Sequence, residues 1–195
     1  TCARPISPGL ALLSGADHSF RAPNLDDLTS RQQTGPGFQF ENPYLAPERA
    51  TTLELGARVQ AAWVSAQAWA FHTFLHGAVG KRPRAATDCP PATPACATSW
   101  TRYQLVNARS LSVLRGVEGS LRLRLPHQLS LVAGAAWTWG EGPNLADRPA
   151  DPTLSYAERV PLSRVPPLNG TLELTWRPAA PRGLSAGAAL RWAGA

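Results

Sequence analysis

Four histidines and three cysteines are the side chains of this sequence with the most chemistry to offer. His72 and His76 lie four residues apart, a spacing that puts two imidazoles on one helix face, where they can share a metal ion. In an extended strand the same spacing keeps both rings on one side but separates them by roughly 13 Å, too far to share one ion. His18 and His127 are remote from that pair, so no metal site is expected. Cys89 and Cys96 enclose the stretch Cys89-Pro90-Pro91-Ala92-Thr93-Pro94-Ala95-Cys96. Two chemistries are open to them: a disulfide closing a small loop, or half of a zinc site. Zinc would need two further ligands, and none has metal-like spacing nearby. Cys2 is either free or paired with a residue outside the chain. No Ser/His/Asp order, Gly-rich phosphate loop or carboxylate pair stands out, so neither catalysis nor a cofactor is expected.

The charge is equally uninformative about a polyanionic partner. The net charge is +6, but among the 19 basic residues only Lys81 is lysine. With the many Ala and Pro residues this points to codon bias. The arginines are scattered, without the cluster that a nucleic-acid groove requires, and no nucleic-acid partner is expected. Charged residues make up only 16% of the chain, well below the roughly 25% of soluble domains. No run of about 18 apolar residues exists, so a transmembrane helix is excluded. A chain poor in charge yet holding seven Trp fits the transmembrane β-barrel, whose signal per strand is weak and has period two. The chain begins at Thr1, contains no Met, and its first apolar stretch, Leu10 to Leu13, is broken by Gly9, Ser14 and Gly15. It is expected to be a segment of something longer.

The elements that position these residues are strands. Leu53, Leu55, Ala57 and Val59 alternate with Glu54, Gly56, Arg58 and Gln60. Val117 to Leu125, Leu129 to Trp139, Leu168 to Trp176 and Leu184 to Trp192 repeat the pattern. Each run has one greasy face and one polar or small face, and no stretch shows a comparable 3.6-residue period. Gly9 to Phe20 and Trp63 to His76 are also expected to be strands, the second apolar on both sides and so without a readable orientation. Short breaks near Gln60–Trp63, Leu125–Gln128 and Pro178–Gly183 alternate with long ones at Pro23–Pro47, Gly77–Ser99 and Gly142–Pro161. This alternation predicts about seven antiparallel strands with tight periplasmic turns and long extracellular loops. Trp63 and Trp176 fall at one end of the strands, Trp139 and Trp192 at the other, as two aromatic girdles would. An outward-facing loop built along an oxidising export route favours the disulfide for Cys89 and Cys96.

Five stretches resemble motifs of TonB-dependent outer-membrane receptors, in the order that family uses. Phe20-Arg21-Ala22-Pro23-Asn24-Leu25-Asp26-Asp27-Leu28 is similar to the phrase that ends a rising strand. Asn42-Pro43-Tyr44-Leu45-Ala46-Pro47-Glu48-Arg49 resembles the stretch that comes next, and Thr52-Leu53-Glu54-Leu55-Gly56 is similar to the phrase that opens the returning strand. Tyr103 to Ala108 with Gly116-Val117-Glu118-Gly119 resembles a single further strand. Pro161 to Gly170, which contains Pro166 and Asn169, is similar to a re-entry strand. The physics of these motifs is readable in itself. Pro23 lacks an N–H and ends a ladder. Asn24, Asp26 and Asp27 suit a turn. Gly56, Gly116 and Gly119 mark close approach within strands.

The resemblance implies a piece of an antiparallel barrel of about 22 strands embedded in outer-membrane lipid, with residues 1–195 forming part of its barrel domain. It also implies partners engaged through regions this sequence does not show, namely an internal plug domain and an inner-membrane TonB complex. The ligand would be a ferric siderophore or a cobalamin-like molecule. Glu54, Glu118 and Glu173 are expected to face inwards, and such a fragment is not expected to transport alone. In such receptors loops contact the ligand, which singles out Arg31, Gln32, Gln33, Phe38 and Phe40 in the first long loop. Arg31 would pair with an anionic chelate. A passive porin-type barrel and a secreted β-sandwich binding module are the rival readings.

Overall fold

In the computed structural model, which describes residues 2–35, 37–178 and 184–194, the chain runs β1 (Cys2–Ser7), β2 (Leu10–Arg21), α1 (Leu25–Thr29), β3 (Gln32–Thr34), β4 (Gly37–Phe40), β5 (Glu48–Gln60), β6 (Val64–His76), β7 (Val79–Pro83), α2 (Pro94–Thr98), β8 (Thr101–Asn107), β9 (Ser112–Leu125), β10 (Leu129–Pro143), β11 (Arg159–Pro161), β12 (Asn169–Trp176) and β13 (Ala186–Ala193). No described helix is long and apolar enough to cross a membrane.

Two sheets result. The first, called the wall, follows the order β1-β2-β5-β6-β9-β10-β12-β13, with β11 paired to β10. Every ladder in it is antiparallel. β1 and β13 each pair on one side only, so the barrel is unclosed. The second sheet, β3-β4-β8-β7, is built inside two of the long loops and is called the cap. It includes one parallel pair, β4 with β8.

Register makes the wall amphipathic. Leu55, Ala70, Val117 and Trp137 stand directly opposite one another across β5, β6, β9 and β10. Two rows towards the short turns lie Val59, Ala66, Leu121, Ala133, Leu172 and Leu190. Since directly paired residues point the same way, all of these share one apolar face. The intervening rows carry Glu54, Arg58, Gln67, Glu118, Ser120, Arg122, Thr171 and Glu173, so the three expected inward carboxylates share the polar face. The ambiguous strand β6 is thereby oriented. Ser65, Gln67, Trp69 and Phe71 lie on the polar face, and Ala66, Ala68, Ala70, His72 and Phe74 on the apolar one. His72 and His76 share that apolar face, four residues apart along the strand, and no group of three or more His, Cys, Asp or Glu placed to hold a metal ion is found among the described residues.

Several expected boundaries change. Cys2–Ser7 is an additional strand that the sequence pattern did not reveal, joined to β2 by Pro8 and Gly9, where Gly9 supplies a φ of +88°. Pro5 lies where the β1–β2 register shifts, between Pro5 and Ser7, and an irregularity in the ladder is one of the few strand positions that accept proline. The stretches Tyr103–Asn107 and Gly116–Gly119 do not form one strand. The first belongs to the cap and the second to the wall, so the loop after β6 reaches as far as Leu111. The expected turn at Pro178–Gly183 falls, from residue 179 onward, outside the described residues.

Candidate functional site

The motif residues at the loop end of the wall form a hydrogen-bonded knot. Asn24 caps α1, its Oδ1 accepting the Asp27 N–H at 2.7 Å while the Asp27 carboxylate accepts the Asn24 N–H at 3.1 Å. This reciprocal pattern satisfies two N–H groups at the helix start. Arg21, the last residue of β2, donates to Asp27 and to Glu48 at 2.8 Å each. Glu48 opens β5, and its other oxygen accepts the Val79 N–H at 2.6 Å. Asn107 closes the knot from the far loop. It accepts the Ala46 N–H and donates to the carbonyls of Ala46 and Gly77, all at 2.8 Å. Asn42 donates to the Leu105 carbonyl at 2.8 Å. Four segments distant in sequence are thus pinned together where the strands emerge. These groups are satisfied by one another, so the knot positions the cap and leaves little hydrogen-bonding capacity for a ligand.

A second cluster lies on the polar face. Gly56, Trp69 and Glu118 share one row, with Ala136 and Asn169 continuing it. Two residues away, Glu54, Phe71 and Gly116 share another. A Cβ on Gly56 would lie 2.6 Å from the Trp69 ring, and one on Gly116 would lie 2.7 Å from the Phe71 ring. The two rings therefore lie flat across the sheet in opposite directions, each over a motif glycine. Glu54 and Glu118 flank them. Beside Glu118, a recess of about 310 Å³ is lined by Gln67, Trp69, Ser120, Asn169 and Thr171. Such a flattened wall with carboxylates at its margins can receive a packed protein surface that carries positive charge. Asn169 also donates to the Pro167 carbonyl at 2.9 Å. Leu162 and Val165, from the motif that contains Pro166, pack towards Gly140. Gly170 on the apolar side is overlaid by the Trp192 ring.

The loop residues separate into two groups. Arg31, Gln32 and Gln33 are exposed, and Arg31 lies 3.6 Å from Glu41. Phe38 and Phe40 are not available in the same way. They are buried with Cys96, their rings 5.3 Å apart and edge-to-face, and this takes them off the surface a ligand would meet. Cys89 and Cys96 are joined in a disulfide that borders this core, and Cys2 is exposed and free. One further cleft, of about 430 Å³, lies between the cap and the loop after β10 and had no counterpart in the sequence pattern. Arg82, Asn107, Arg109 and Asn144 line it, and Arg82 pairs with Asp147 at 2.6 Å. In that same loop Asp151 is held below the usual carboxylate range by the N–H and hydroxyl of Thr153.

No curated protein sequence matches the chain. Among solved structures it is similar to the copper transporter OprC, at 19% identity and a TM-score of 0.69, covering 97% of this chain and 25% of that one. The hemophore receptor HasR of Serratia marcescens, solved with its hemophore HasA and heme, gives 22% identity, a TM-score of 0.70 and coverage of 98% and 31%. The siderophore receptor PirA of Pseudomonas aeruginosa gives 16%, 0.59, 97% and 29%. The chain thus spans about a quarter to a third of the length of these relatives, and the likeness is one of fold. The sequence profile described as "TonB dependent receptor-like, beta-barrel" matches residues 5–195. The two-faced antiparallel wall, the knotted loop end and this end-to-end match place the chain in the TonB-dependent receptor β-barrel family.

Proposed function

We propose that this chain is a wall segment, with its loop cap, of a bacterial outer-membrane receptor that takes up a scarce ligand using energy from an inner-membrane TonB complex. The observation that carries the reading is the division of faces. Leu55, Leu172, Leu174 and Leu190 are exposed on one side of the wall, while Glu54 and Glu118 stand on the other beside the flattened Trp69 and Phe71. A leucine-rich face is stable against hydrocarbon, whereas carboxylates are tolerated only where water or protein covers them. The plug domain and the remaining strands would lie elsewhere in the receptor. Plug residues of positive charge would face Glu54 and Glu118, and the long loops would face outside the cell.

A ferric siderophore or cobalamin-like ligand is the class we favour, in keeping with the likeness of the chain to a siderophore receptor, a hemophore receptor and a copper transporter. Arg31, Gln32 and Gln33, exposed on the first loop, are the residues through which the cap would meet it. Spin labels at Leu55, Leu123 and Leu174 in the intact receptor test the membrane reading. They should be relaxed by bilayer oxygen and shielded from aqueous quenchers, and the opposite result would overturn it. Uptake of labelled ferric chelate by cells should depend on both the receptor and the proton-motive force. Uptake that survives collapse of that force would favour the porin reading.

A further inference from the structure

Two arginines of the polar face meet at the end of the wall away from the loops. Gln60, Ser65 and Arg122 stand directly opposite one another in one row, and Arg124 follows two residues along β9 on the same face. With the turn between β5 and β6, these four residues line a cavity of about 110 Å³. Arg124 is steadied there by donating to the Ala62 carbonyl at 3.3 Å, which leaves most of its N–H groups free. Among the described residues the side chains of Gln60, Ser65 and Arg122 form no hydrogen bond, and neither arginine forms an ion pair. No acid lines the cavity. Glu173 lies in the row of Arg122 but two strands away, and its carboxylate accepts the Thr175 hydroxyl at 3.0 Å. Glu118 lies four residues along β9 from Arg122, roughly 13 Å away. Arginines facing a lipid interface would be ordinary anchors, but this face is the one turned from lipid.

We infer that this cavity binds a carboxylate of an anionic ligand on its way out of the receptor. The inference rests on the transport reading above, in which a ligand enters past the loops and leaves at the turn end. It narrows the ligand to a chelate that carries carboxylates. A planar guanidinium matches carboxylate oxygens two at a time, and two of them on one face, two residues apart, can reach the same group. The Gln60 amide and the Ser65 hydroxyl supply neutral donors beside them. With several donors and no countercharge of its own, the cavity gains from an oxyanion and gains little from a neutral ligand.

Fluorine NMR of the intact receptor labelled with fluorotryptophan tests this, because Trp63 lines the cavity and its resonance is assigned by its loss in Trp63→Phe. Citrate should shift that resonance saturably, and its neutral triethyl ester should not. Arg122→Gln/Arg124→Gln should raise the citrate concentration at half-saturation by about tenfold. Arg191→Gln, opposite Thr171 elsewhere on the polar face, should leave it in place. Unaltered half-saturation in the double variant, equal loss in Arg191→Gln, or a response to the ester would each overturn the proposal. So would saturation by inorganic phosphate at a lower concentration than by citrate, because a free anion would then be the occupant. The other tryptophan resonances show that each variant is folded. Uptake of labelled ferric citrate by cells reads the transport role separately. The double variant should lower maximal uptake by about fivefold with half-saturation unchanged, since the loops make the first contact. Unchanged maximal uptake sinks this inference alone, whereas wild-type uptake that is absent or indifferent to the proton-motive force sinks the underlying reading.

Discussion

The cap and the wall are both made of β-strands, yet they dispose of their apolar residues in opposite ways. In the cap, Phe38 is 2% exposed and Cys96 is 0% exposed, and the disulfide and two rings enclose a small core of their own. In the wall, strands of up to 15 residues pair along their full length, yet Leu55 is 69% exposed. Its cohesion comes from ladders within the sheet, and its greasy side waits for something outside the chain. The cap is built as a water-facing protein is built, whereas the wall is half of an interface. Substitutions that remove apolar volume should therefore hurt the cap, and those that add charge should hurt the wall.

The largest effect is expected from Phe38→Ala, at about 3–5 kcal/mol of cap stability. Hydrogen exchange in the intact receptor should then speed up across β4, β7 and β8 while β9 and β10 stay protected. Equal loss in both regions would abolish the distinction. Next comes Leu123→Arg, which puts a charge on the apolar face and should cost about 2–4 kcal/mol if it lies near the bilayer midplane. Urea titration of the receptor folded into vesicles reads it, and Ser120→Arg on the polar face should cost far less. Replacing Cys89 and Cys96 together by Ser should cost about 2.5 kcal/mol through lost loop-closure restraint. Reductant should mimic it, again in the cap alone, and a reductant-sensitive wall would count against this division.

How much of this was legible in the sequence follows the same division. The wall strands could be read because alternation is a local signal, and Leu53 to Gln60 needs no partner to be recognised. Strand β6 resisted, because Trp69 and Phe71 face the polar side, and only their flat seating over Gly56 and Gly116 on neighbouring strands explains how they fit there. Strand β1 was missed because Cys2-Ala3-Arg4-Pro5-Ile6-Ser7 alternates poorly and its proline reads as a break. The cap was illegible for a different reason. The parallel pairing of Phe38 with Arg102 joins residues far apart in the chain, and such a contact leaves no local trace. Phe38 and Phe40 accordingly looked like loop aromatics open to a ligand. The motif carrying Arg21, Glu48 and Asn107 could be matched by resemblance, but the knot those residues tie became visible only in three dimensions.

The smallest expected effect separates two glycines of the same strand. Gly116 lies on the polar face, where an added Cβ would meet the Trp137 carbonyl and lie 2.7 Å from the Phe71 ring. Gly119, three residues on, faces the apolar side, where an added Cβ would find nothing nearer than the Gln67 carbonyl at 3.4 Å. Neither has a positive φ, so backbone strain does not distinguish them. Gly116→Ala should therefore cost about 1–3 kcal/mol by overpacking, and Gly119→Ala should be near neutral, both read by the urea midpoint in vesicles. Combining Gly116→Ala with Phe71→Leu divides the cost further. The double change removes the ring from above the new methyl group but leaves the Trp137 carbonyl in place. If the ring is the main obstacle, the double variant should lose less than the sum of the two single changes, a non-additivity expected of residues in contact. If the losses simply add, the carbonyl sets the limit, and the glycine is required by ladder geometry rather than by the aromatic inner surface.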